Sequence, residues 1–295
     1  MPELPDVEVY IERLDVYVRG RTLERIQLHN PFVLRSVAPP PAALVGQTVE
    51  SVRRIGKRIA IGFTAELFLV IHLMIAGRLR WRAAGGKKIG GRIVLAELGF
   101  EHGTLYLTEA GTQRRAMLHV VQGSDQLAQF ERGGLEVLAA TVAAFAERLR
   151  SENHTLKRAL TDPRIFSGIG NAYSDEALHR ARMSPLALTR KLDDAAIERL
   201  YHAVRDTLQE WTELLRRHVG VGFPEEVTAF HKEMAVHGKY GEPCPVCGAP
   251  VQRIRYASNE TNYCARCQTD GKLLADRALS RLLKDDWPRS IDEID

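Results

Sequence analysis

The sequence predicts an α+β protein in which an antiparallel β-sandwich with flanking helices precedes a helical domain that carries a small metal-binding hairpin. Three observations support this fold class. Short apolar runs separated by turn residues fill the chain up to Leu107, a pattern typical of antiparallel sheets. From about Glu136 onward, apolar residues recur with a helical period. All four cysteines fall between Cys244 and Cys267, in two C-x-x-C pairs.

The elements can be predicted in order. Asp6–Arg19 carries apolar residues at helical spacing and Gly20 follows as a stop signal, so the first element is an amphipathic helix. Short strands are predicted next, at Leu23–Leu28, Thr48–Ile55, Ile59–Phe63, Leu67–Ile71, Gly77–Trp81, Ile93–Leu98 and Thr104–Leu107. Helices are predicted after them, at Val137–Leu149, Thr155–Leu160, Ala172–Ala181 and Asp193–Arg217. The predicted domains are a β-sandwich at 1–130, a helical domain at 131–238, a cysteine module at 239–268 and a tail at 269–295.

The composition is that of a folded protein with room for two domains. The chain has 295 residues, of which 45% are hydrophobic and 26% charged, and these values argue against extensive disorder. No apolar run is long enough to span a membrane, and the first residues lack the basic head and apolar stretch of a signal peptide. Clustered cysteines argue against a secreted disulfide scaffold. We therefore expect a cytoplasmic protein without a membrane partner.

Positive charge is concentrated in one part of the sequence. The net charge is only +4, yet the stretch from Arg53 to Arg92 holds ten Lys or Arg residues against a single acid, Glu66. Such an excess is typical of a surface that binds a polyanion, most often nucleic acid. A solvated basic face explains the same residues equally well.

The cysteine pairs predict a structural zinc site. Cys244 and Cys247 form one pair, Cys264 and Cys267 the other, with sixteen residues between the pairs. Two thiolates spaced by two residues reach one cation from a tight turn, and two such turns complete a tetrahedral site. The segment between the pairs is predicted to form a β-hairpin, which the metal would stabilise without taking part in chemistry. A redox pair and ordinary buried thiols are the alternatives.

The second residue can supply an unusual reactive group. If Met1 is removed, Pro2 becomes a secondary amine with a pKa near neutrality, able to add to an aldehyde and form an iminium. A proline after the initiator methionine is common, however, and usually carries no function. Glu3 beside it is either an acid–base group or a first-turn acid that stabilises the following helix.

Six motifs, taken in order, resemble the formamidopyrimidine-DNA glycosylase and endonuclease VIII family up to Gln268. They are Pro2-Glu3-Leu4-Pro5 with Val7-Glu8, Gly56-Lys57, His72-Leu73-Met74 with Gly77-Arg78-Leu79, Thr155-Leu156-Lys157, Gly168-Ile169-Gly170-Asn171 with Tyr173, Asp175 and Glu176, and Val236-His237-Gly238-Lys239 before Cys244. Each motif alone is weak, but their order and spacing together are specific. The chain resembles a divergent, bacterial-type member of this family.

This resemblance implies a fold and an activity. The fold is that of a two-domain clamp around damaged double-stranded DNA, with a catalytic β-sandwich, a helix–two-turns–helix domain and a zinc-ribbon hairpin. The activity is that of a bifunctional DNA glycosylase and AP lyase in base-excision repair. The resemblance further implies a nucleoid-associated monomer that holds one structural zinc ion.

The resemblance also implies roles for individual residues. Pro2 is expected to attack C1′ of the damaged nucleotide, which must leave the base stack, and Glu3 to protonate the sugar oxygen and assist elimination. Lys57 is expected to contact a phosphate beside the lesion. DNA-binding roles follow for Met74, which would enter the base stack, for Arg114, which would face the orphaned base, and for Lys157, Asn171 and Asn259.

Physical reasoning supports the contact at Asn171 independently. Gly168 and Gly170 let a phosphate approach the backbone, and the helix that follows them presents unpaired N–H groups. Asn171 can either cap this helix or donate to the phosphate.

Three features depart from the family pattern. On the zinc hairpin, Asn259 stands where relatives commonly carry an arginine that grips phosphates. In the predicted intercalation loop, Gly111–Met117, Ala116 replaces an aromatic wedge and Met117 is its candidate substitute. The segment Gly220–Glu233 is short compared with the loop that covers oxidised guanine in the guanine-specific branch.

Two functional hypotheses remain after these departures. The first is a glycosylase and lyase whose lesion preference is nearer to that of endonuclease VIII, or unusual. The second is a protein that binds damaged or abasic DNA with reduced or altered glycosylase activity. A zinc-finger transcription factor is disfavoured, because the sequence has no helix with base-reading spacing.

Overall fold

The computed structural model describes residues 1–111, 113–225, 227, 230–256, 259–275, 281–283 and 288–293, with the backbone alone described at Tyr256 and Asn259. The chain divides into two compact units. Unit 1 comprises Met1–Arg132 and Trp211–Ala229, and unit 2 comprises Gly133–Glu210 and Phe230–Asp295. Among the described residues, no helix combines the length and the apolar character needed to cross a bilayer.

Unit 1 is built on two antiparallel sheets. Its strands are β1 (Arg25–Leu28), β2 (Val49–Ile55), β3 (Arg58–Phe63), β4 (Leu67–His72), β5 (Gly77–Ala83), β6 (Val94–Phe100), β7 (Gly103–Glu109) and β8 (Met117–Gln122). The strand orders are β1-β6-β7-β5 in one sheet and β2-β3-β4-β8 in the other. Apolar side chains from both sheets and from helix α1 (Leu4–Val18) form one core, and the short helix α2 (Ser124–Ala128) follows β8.

Helix α1 begins at Leu4 rather than at the predicted Asp6, because a capping box extends it. The Glu3 carboxylate accepts a hydrogen bond from the backbone of Asp6, and the Asp6 carboxylate accepts one from the Glu3 N–H at 2.8 Å. The predicted apolar stripe is confirmed, since Tyr10 and Leu14 are fully buried. The helix therefore fixes its first turn, and Pro2 before it, against the core.

Strand β8 is missing from the sequence-based prediction, which assigned its first residue to a loop. It pairs with β4, and its burial alternates, with Leu118 and Val120 buried between half-buried Met117 and His119. This alternation is the normal signal of a strand with one face on the core. Recognising it would have shortened the predicted intercalation loop.

Unit 2 combines helices with a hairpin. Its elements are α3 (Val142–Arg150), α4 (Leu156–Thr161), α5 (Asn171–Arg180), α6 (Asp194–Val219, which continues into the range of unit 1), β9 (Val251–Tyr256), β10 (Asn259–Cys264) and α7 (Ala265–Thr269). The predicted helix at Val137–Leu149 is wrong in its first part. There a 3-10 turn ends at Ala139 and Thr141 then caps α3, accepting a hydrogen bond from the Ala144 N–H. The hairpin lies where the cysteine spacing predicts it.

Candidate active site and nucleic-acid interface

The chain terminus lies in a buried, charged environment in unit 1, which we call the N-terminal cluster. Its members are Met1, Pro2, Glu3, Asp6, Lys57 and Arg78. Burial lowers the pKa of the Met1 amine below its ordinary value of 8.0, while Glu3 and Asp6 raise this pKa and Arg78 and Lys57 lower it. An amine held here is therefore kept more neutral, and so more nucleophilic, than one in water.

Glu3 serves the helix that follows it and also faces this amine. Its side chain is 2% exposed and accepts the hydrogen bond that caps α1. The carboxyl group is thus shielded from water and fixed in orientation. The structural and the acid–base interpretations of Glu3 are compatible, because capping occupies only part of the acceptor capacity of a carboxylate.

Lys57 is presented by the tight turn between β2 and β3. Gly56 adopts a φ of 60°, a backbone conformation that favours glycine. Arg54 fixes the turn by donating to the Gly56 carbonyl at 2.9 Å and to the Glu8 carboxylate at 2.5 Å. A half-buried lysine on a turn held in this way can offer a positive charge at a defined place.

The turn between β4 and β5 exposes an apolar residue that the sequence analysis missed. Met74, the residue expected to enter the base stack, is half-buried and has a φ of 53°, an uncommon value outside glycine. Ile75 beside it is 55% exposed. The turn therefore offers the Ile75 side chain in addition to Met74, whose entry into the base stack stays a prediction. Neither the composition nor the spacing of residues in this turn indicates a positive φ at Met74.

The loop between β7 and β8 is tied down by an acid. The Glu109 carboxylate accepts hydrogen bonds from the backbone N–H groups of Arg115 and Ala116, at 2.9 and 3.0 Å. Arg114 is exposed, as its predicted contact with DNA requires, and donates to the Arg92 carbonyl. Ala116 is buried and Met117 begins β8, so neither presents an exposed wedge.

Two histidines, which the sequence analysis did not select, lie on one face of the sheet β2-β3-β4-β8. His72 pairs across the strands with Arg58, and His119 lies on the neighbouring strand β8. Burial and then the charge of Arg58 lower the pKa of His72 to about 4 and also lower the pKa of His119. Among the described residues, the Nδ1 atoms of both rings have no hydrogen-bond partner. Neutral imidazoles beside arginine can accommodate a phosphate or ordered water.

Within unit 1, the short segment after α6 packs onto α1 and β5. The ring of Phe223 lies 6.0 Å from the ring of Tyr10, and the carboxylate of Glu225 pairs with Arg80 and Arg82 of β5. These contacts fix the described part of the segment. Residues 226, 228 and 229 lie outside the described part of the chain.

At the start of α5, two predicted DNA-binding side chains have internal partners in unit 2. The ammonium group of Lys157 donates to the Asn171 carbonyl at 2.7 Å, to Ser174 Oγ at 2.8 Å and to the Asp175 carboxylate at 2.5 Å. These bonds use all three donors of the group. Asn171 Nδ2 donates to the Glu260 carbonyl at 2.6 Å, and Gly170 rather than Asn171 is the N-cap residue. A direct contact of Lys157 with DNA stays a prediction.

The four cysteines form a site that fits one zinc ion. Their sulfur atoms all lie within 4.8 Å of one another, and the Cys244–Cys267 and Cys247–Cys264 distances are 3.9 and 3.4 Å. A tetrahedron with zinc–sulfur bonds of about 2.3 Å has sulfur–sulfur edges of about 3.8 Å. His179 of α5 adds a ring nitrogen 3.3 Å from Cys244 Sγ. The donor set and spacing therefore match a closed, structural site.

Helix α5 holds the chain that leads into this site. The Glu176 carboxylate accepts hydrogen bonds from three successive backbone N–H groups, those of Ala235, Val236 and His237, at 2.8 to 2.9 Å. Asp175 accepts from the His237 ring at 2.8 Å. The helix that begins at the glycine turn is thus bonded directly to the approach to the zinc hairpin.

Two arginines lie close to the acid near the tip of the zinc hairpin. The backbone of Asn259 pairs with Tyr256, whereas the predicted phosphate contact of the Asn259 side chain lies outside the described residues. The neighbouring acid, Glu260, pairs with Arg253 at 3.6 Å and Arg255 at 3.5 Å. Two strand arginines therefore compensate this acid, and both were missed in the sequence analysis.

Comparison with known proteins identifies the family. Three family models match in chain order: the formamidopyrimidine-DNA glycosylase N-terminal domain at residues 1–119, the H2TH domain of the same glycosylase at 135–219, and a zinc finger found in FPG and IleRS at 241–269. The formamidopyrimidine-DNA glycosylase of Thermus thermophilus is 33% identical over 279 residues, which is 92% of this chain and 100% of that protein. The chain belongs to the formamidopyrimidine-DNA glycosylase family.

Other relatives agree with this assignment. An uncharacterized formamidopyrimidine-DNA glycosylase-like protein of Mycobacterium tuberculosis is 40% identical over 151 residues, 51% of this chain and 94% of that protein. The crystal structure of MutM (Fpg) from Thermus thermophilus superimposes with a TM-score of 0.77 at 32% identity, covering 90% of this chain and 98% of that one. A complex of Lactococcus lactis Fpg with abasic-site DNA shares the fold, with a TM-score of 0.79 at 24% identity, covering 90% of this chain and 99% of that one.

Several predictions made from the sequence are therefore confirmed. The fold class is that of the family, with antiparallel sheets, a helix–two-turns–helix region and a C-terminal zinc finger. The chain is a DNA-repair glycosylase by family, and its cysteine cluster is suited to one zinc ion.

Proposed function

We propose that this protein is a bifunctional DNA glycosylase and AP lyase that removes a damaged base from double-stranded DNA and cleaves the strand through a Schiff base on Pro2. The observation that carries the proposal is the N-terminal cluster, where burial lowers the pKa of the terminal amine beside Glu3. Removal of Met1 would make the Pro2 nitrogen the terminal amine. A nucleophile that is neutral near pH 7 and an adjacent shielded acid are the two groups that this chemistry needs.

In the proposed reaction, the Pro2 nitrogen bonds to C1′ as the bond from C1′ to the damaged base breaks, and the base leaves with a proton. The sugar ring then opens to an iminium while its oxygen takes a proton from Glu3. The Glu3 carboxylate then takes a proton from C2′, which expels the 3′ phosphate by β-elimination, and loss of a proton from C4′ to water expels the 5′ phosphate. Water finally releases Pro2 from the sugar fragment. Each turnover restores both the amine and the carboxyl group.

Residues of each unit support DNA binding in this proposal. In unit 1, Lys57 belongs to the N-terminal cluster, the neutral His72 lies near Lys57, and Ile75 offers an exposed apolar side chain. In unit 2, the turn with Gly168 and Gly170 leads into the N-terminus of α5, and a helix N-terminus favours phosphate binding. The Lactococcus lactis relative in complex with abasic-site DNA is a precedent for such a ligand.

The second candidate is a protein that binds damaged or abasic DNA but has little glycosylase activity. Two observations favour it. Lys157 keeps its donors inside unit 2, and an asparagine occupies the hairpin position where relatives carry an arginine. Lysine donors engaged inside the protein and a neutral amide in place of a cation both weaken the grip on phosphates, while the N-terminal cluster is intact.

Strand cleavage distinguishes the two candidates. Single-turnover assays with excess protein should use duplexes that carry an abasic site, an oxidised pyrimidine or an oxidised purine, with the undamaged duplex as control. We expect cleavage of the abasic duplex and of at least one oxidised base, and none of the undamaged duplex. Tight binding of the abasic duplex without any cleavage would support the second candidate instead.

A further inference from the structure

The chain folds back on itself after the zinc finger, in a part of the sequence that none of the three family models reaches. The last of these models ends at residue 269. The described residues Arg289–Glu293, which we call the C-terminal strap, return to pair with the residues just after α7. The Leu273 N–H donates to the Arg289 carbonyl at 2.9 Å, and the Ile291 N–H donates to the Gly271 carbonyl at 2.8 Å.

An ion pair adds to this backbone pairing. Arg266 of α7 donates to the Asp292 carboxylate at 2.9 Å. Gly271, with a φ of 82°, reverses the chain, and a Cβ atom at this position would lie 3.7 Å from Ile291. The strap is therefore joined to the finger by main-chain hydrogen bonds, an ion pair and close packing.

Ile291 enters a small core on one face of the hairpin. It is 4% exposed and packs with Ile254 of β9, Tyr263 of β10 and Leu273. The Tyr263 hydroxyl accepts a hydrogen bond from the Leu274 N–H at 2.8 Å. An apolar side chain from the strap thus closes a core that both hairpin strands share.

The opposite face of the hairpin packs on the metal site. Val251 of β9 and Cys264 of β10 belong to a separate cluster with Cys244 and Val236. Ile254 lies three residues after Val251, so its side chain points to the other face of the strand. The hairpin therefore has two independent supports, the zinc site on one face and the strap on the other.

We propose that the C-terminal strap positions the hairpin for DNA, with Ile291 as its positioning residue, in addition to the support that zinc provides. The inference rests on the proposed function, because it assumes that the hairpin contacts the DNA backbone. Arg253 and Arg255 of β9 flank Ile254 in sequence, so their side chains lie on the opposite face from this core and the core acts on them through the backbone of β9. The strap acts on DNA through the hairpin and does not contact the reacting atoms.

The test compares Ile291→Ser with Leu282→Ser in the full-length, zinc-loaded protein. Leu282 belongs to the same tail but is 77% exposed, so its change is a matched control. We expect Ile291→Ser to speed hydrogen exchange of the β9 and β10 amides with an unchanged zinc content. Affinity for an abasic duplex should fall roughly tenfold, the effect of losing about one charge-assisted contact. The milder Ile291→Val should restore most of the affinity, and Leu282→Ser should match the wild type.

Several results would overturn the inference. These are unchanged exchange of the hairpin amides, faster exchange with unchanged affinity, equal effects of the two serine variants, and loss of zinc in Ile291→Ser. Failure of the proposed function is seen separately, because a wild-type protein that neither binds nor cleaves the abasic duplex disproves that function. The exchange measurement on the free protein still shows whether the strap holds the hairpin.

Discussion

Replacing Glu3 by glutamine is expected to slow strand cleavage at an abasic site by about 10²- to 10⁴-fold, the usual contribution of a positioned acid–base group. Affinity for the same duplex should stay within about threefold, since the lysine and arginine side chains proposed to contact DNA are unchanged. The glutamine amide oxygen can still accept the hydrogen bond that caps α1, so the fold should remain intact. Single-turnover rates and a parallel binding titration measure both effects.

Asp6→Asn is the matched control for this experiment. Asp6 is the other half of the capping box, is fully buried and acts on the same terminal amine. Its loss should cost similar stability but change the cleavage rate much less. If Asp6→Asn slows cleavage and Glu3→Gln does not, the proton donor is Asp6 and the assignment of Glu3 is wrong.

Replacing Cys264 by serine is expected to abolish stoichiometric zinc binding and to weaken affinity for the abasic duplex at least a hundredfold. Zinc sites of this type contribute on the order of 10 kcal/mol to the folding of their module. Cys264 is buried, and burial raises the pKa of its thiol, so its thiolate depends on a bound cation. Unit 1 has its own core and should stay folded. Metal analysis, thermal unfolding and DNA titration together measure these outcomes.

Val246→Ser is the control, because Val246 lies between the first two cysteines and is 58% exposed. It should retain zinc and bind DNA like the wild type. A Cys264→Ser protein that still carries one zinc per chain would contradict the four-cysteine site.

Sequence patterns within a short stretch of chain correctly predicted helix α1 and the zinc hairpin. The stripe from Val7 to Val18 specified α1, and the two C-x-x-C pairs specified the zinc site and the hairpin between them. The start of α1 was misplaced because a capping box involves Glu3, which has no apolar signal. The spacing of apolar residues locates the body of a helix, but its first residue depends also on the side chains that cap it.

Long-range partners account for what the sequence could not predict. Nothing local shows that Lys157 bonds Asp175, or that Glu176 bonds the backbone at residues 235–237. Nothing local shows that Ile75 is the more exposed residue of the β4–β5 turn or that Met74 has a positive φ. The strap depends on Ile291 packing in a core to which residues of both hairpin strands contribute. Each of these features is a tertiary contact rather than a pattern in the sequence.

The central claim is that Pro2, once freed of Met1, is the nucleophile, and borohydride trapping on an abasic duplex tests it most directly. Borohydride reduces an iminium to a stable amine, so it links protein and DNA only if a free amine has condensed with the sugar aldehyde. We predict a covalent complex with protein that mass spectrometry shows to begin at Pro2. We predict a much lower yield with protein that retains Met1, in which the Pro2 nitrogen is an amide and the free Met1 amine lies one residue farther along the chain from Glu3. A trapped complex of equal yield from the Met1-retaining form would contradict the account, because its nucleophile would then have to be another amine.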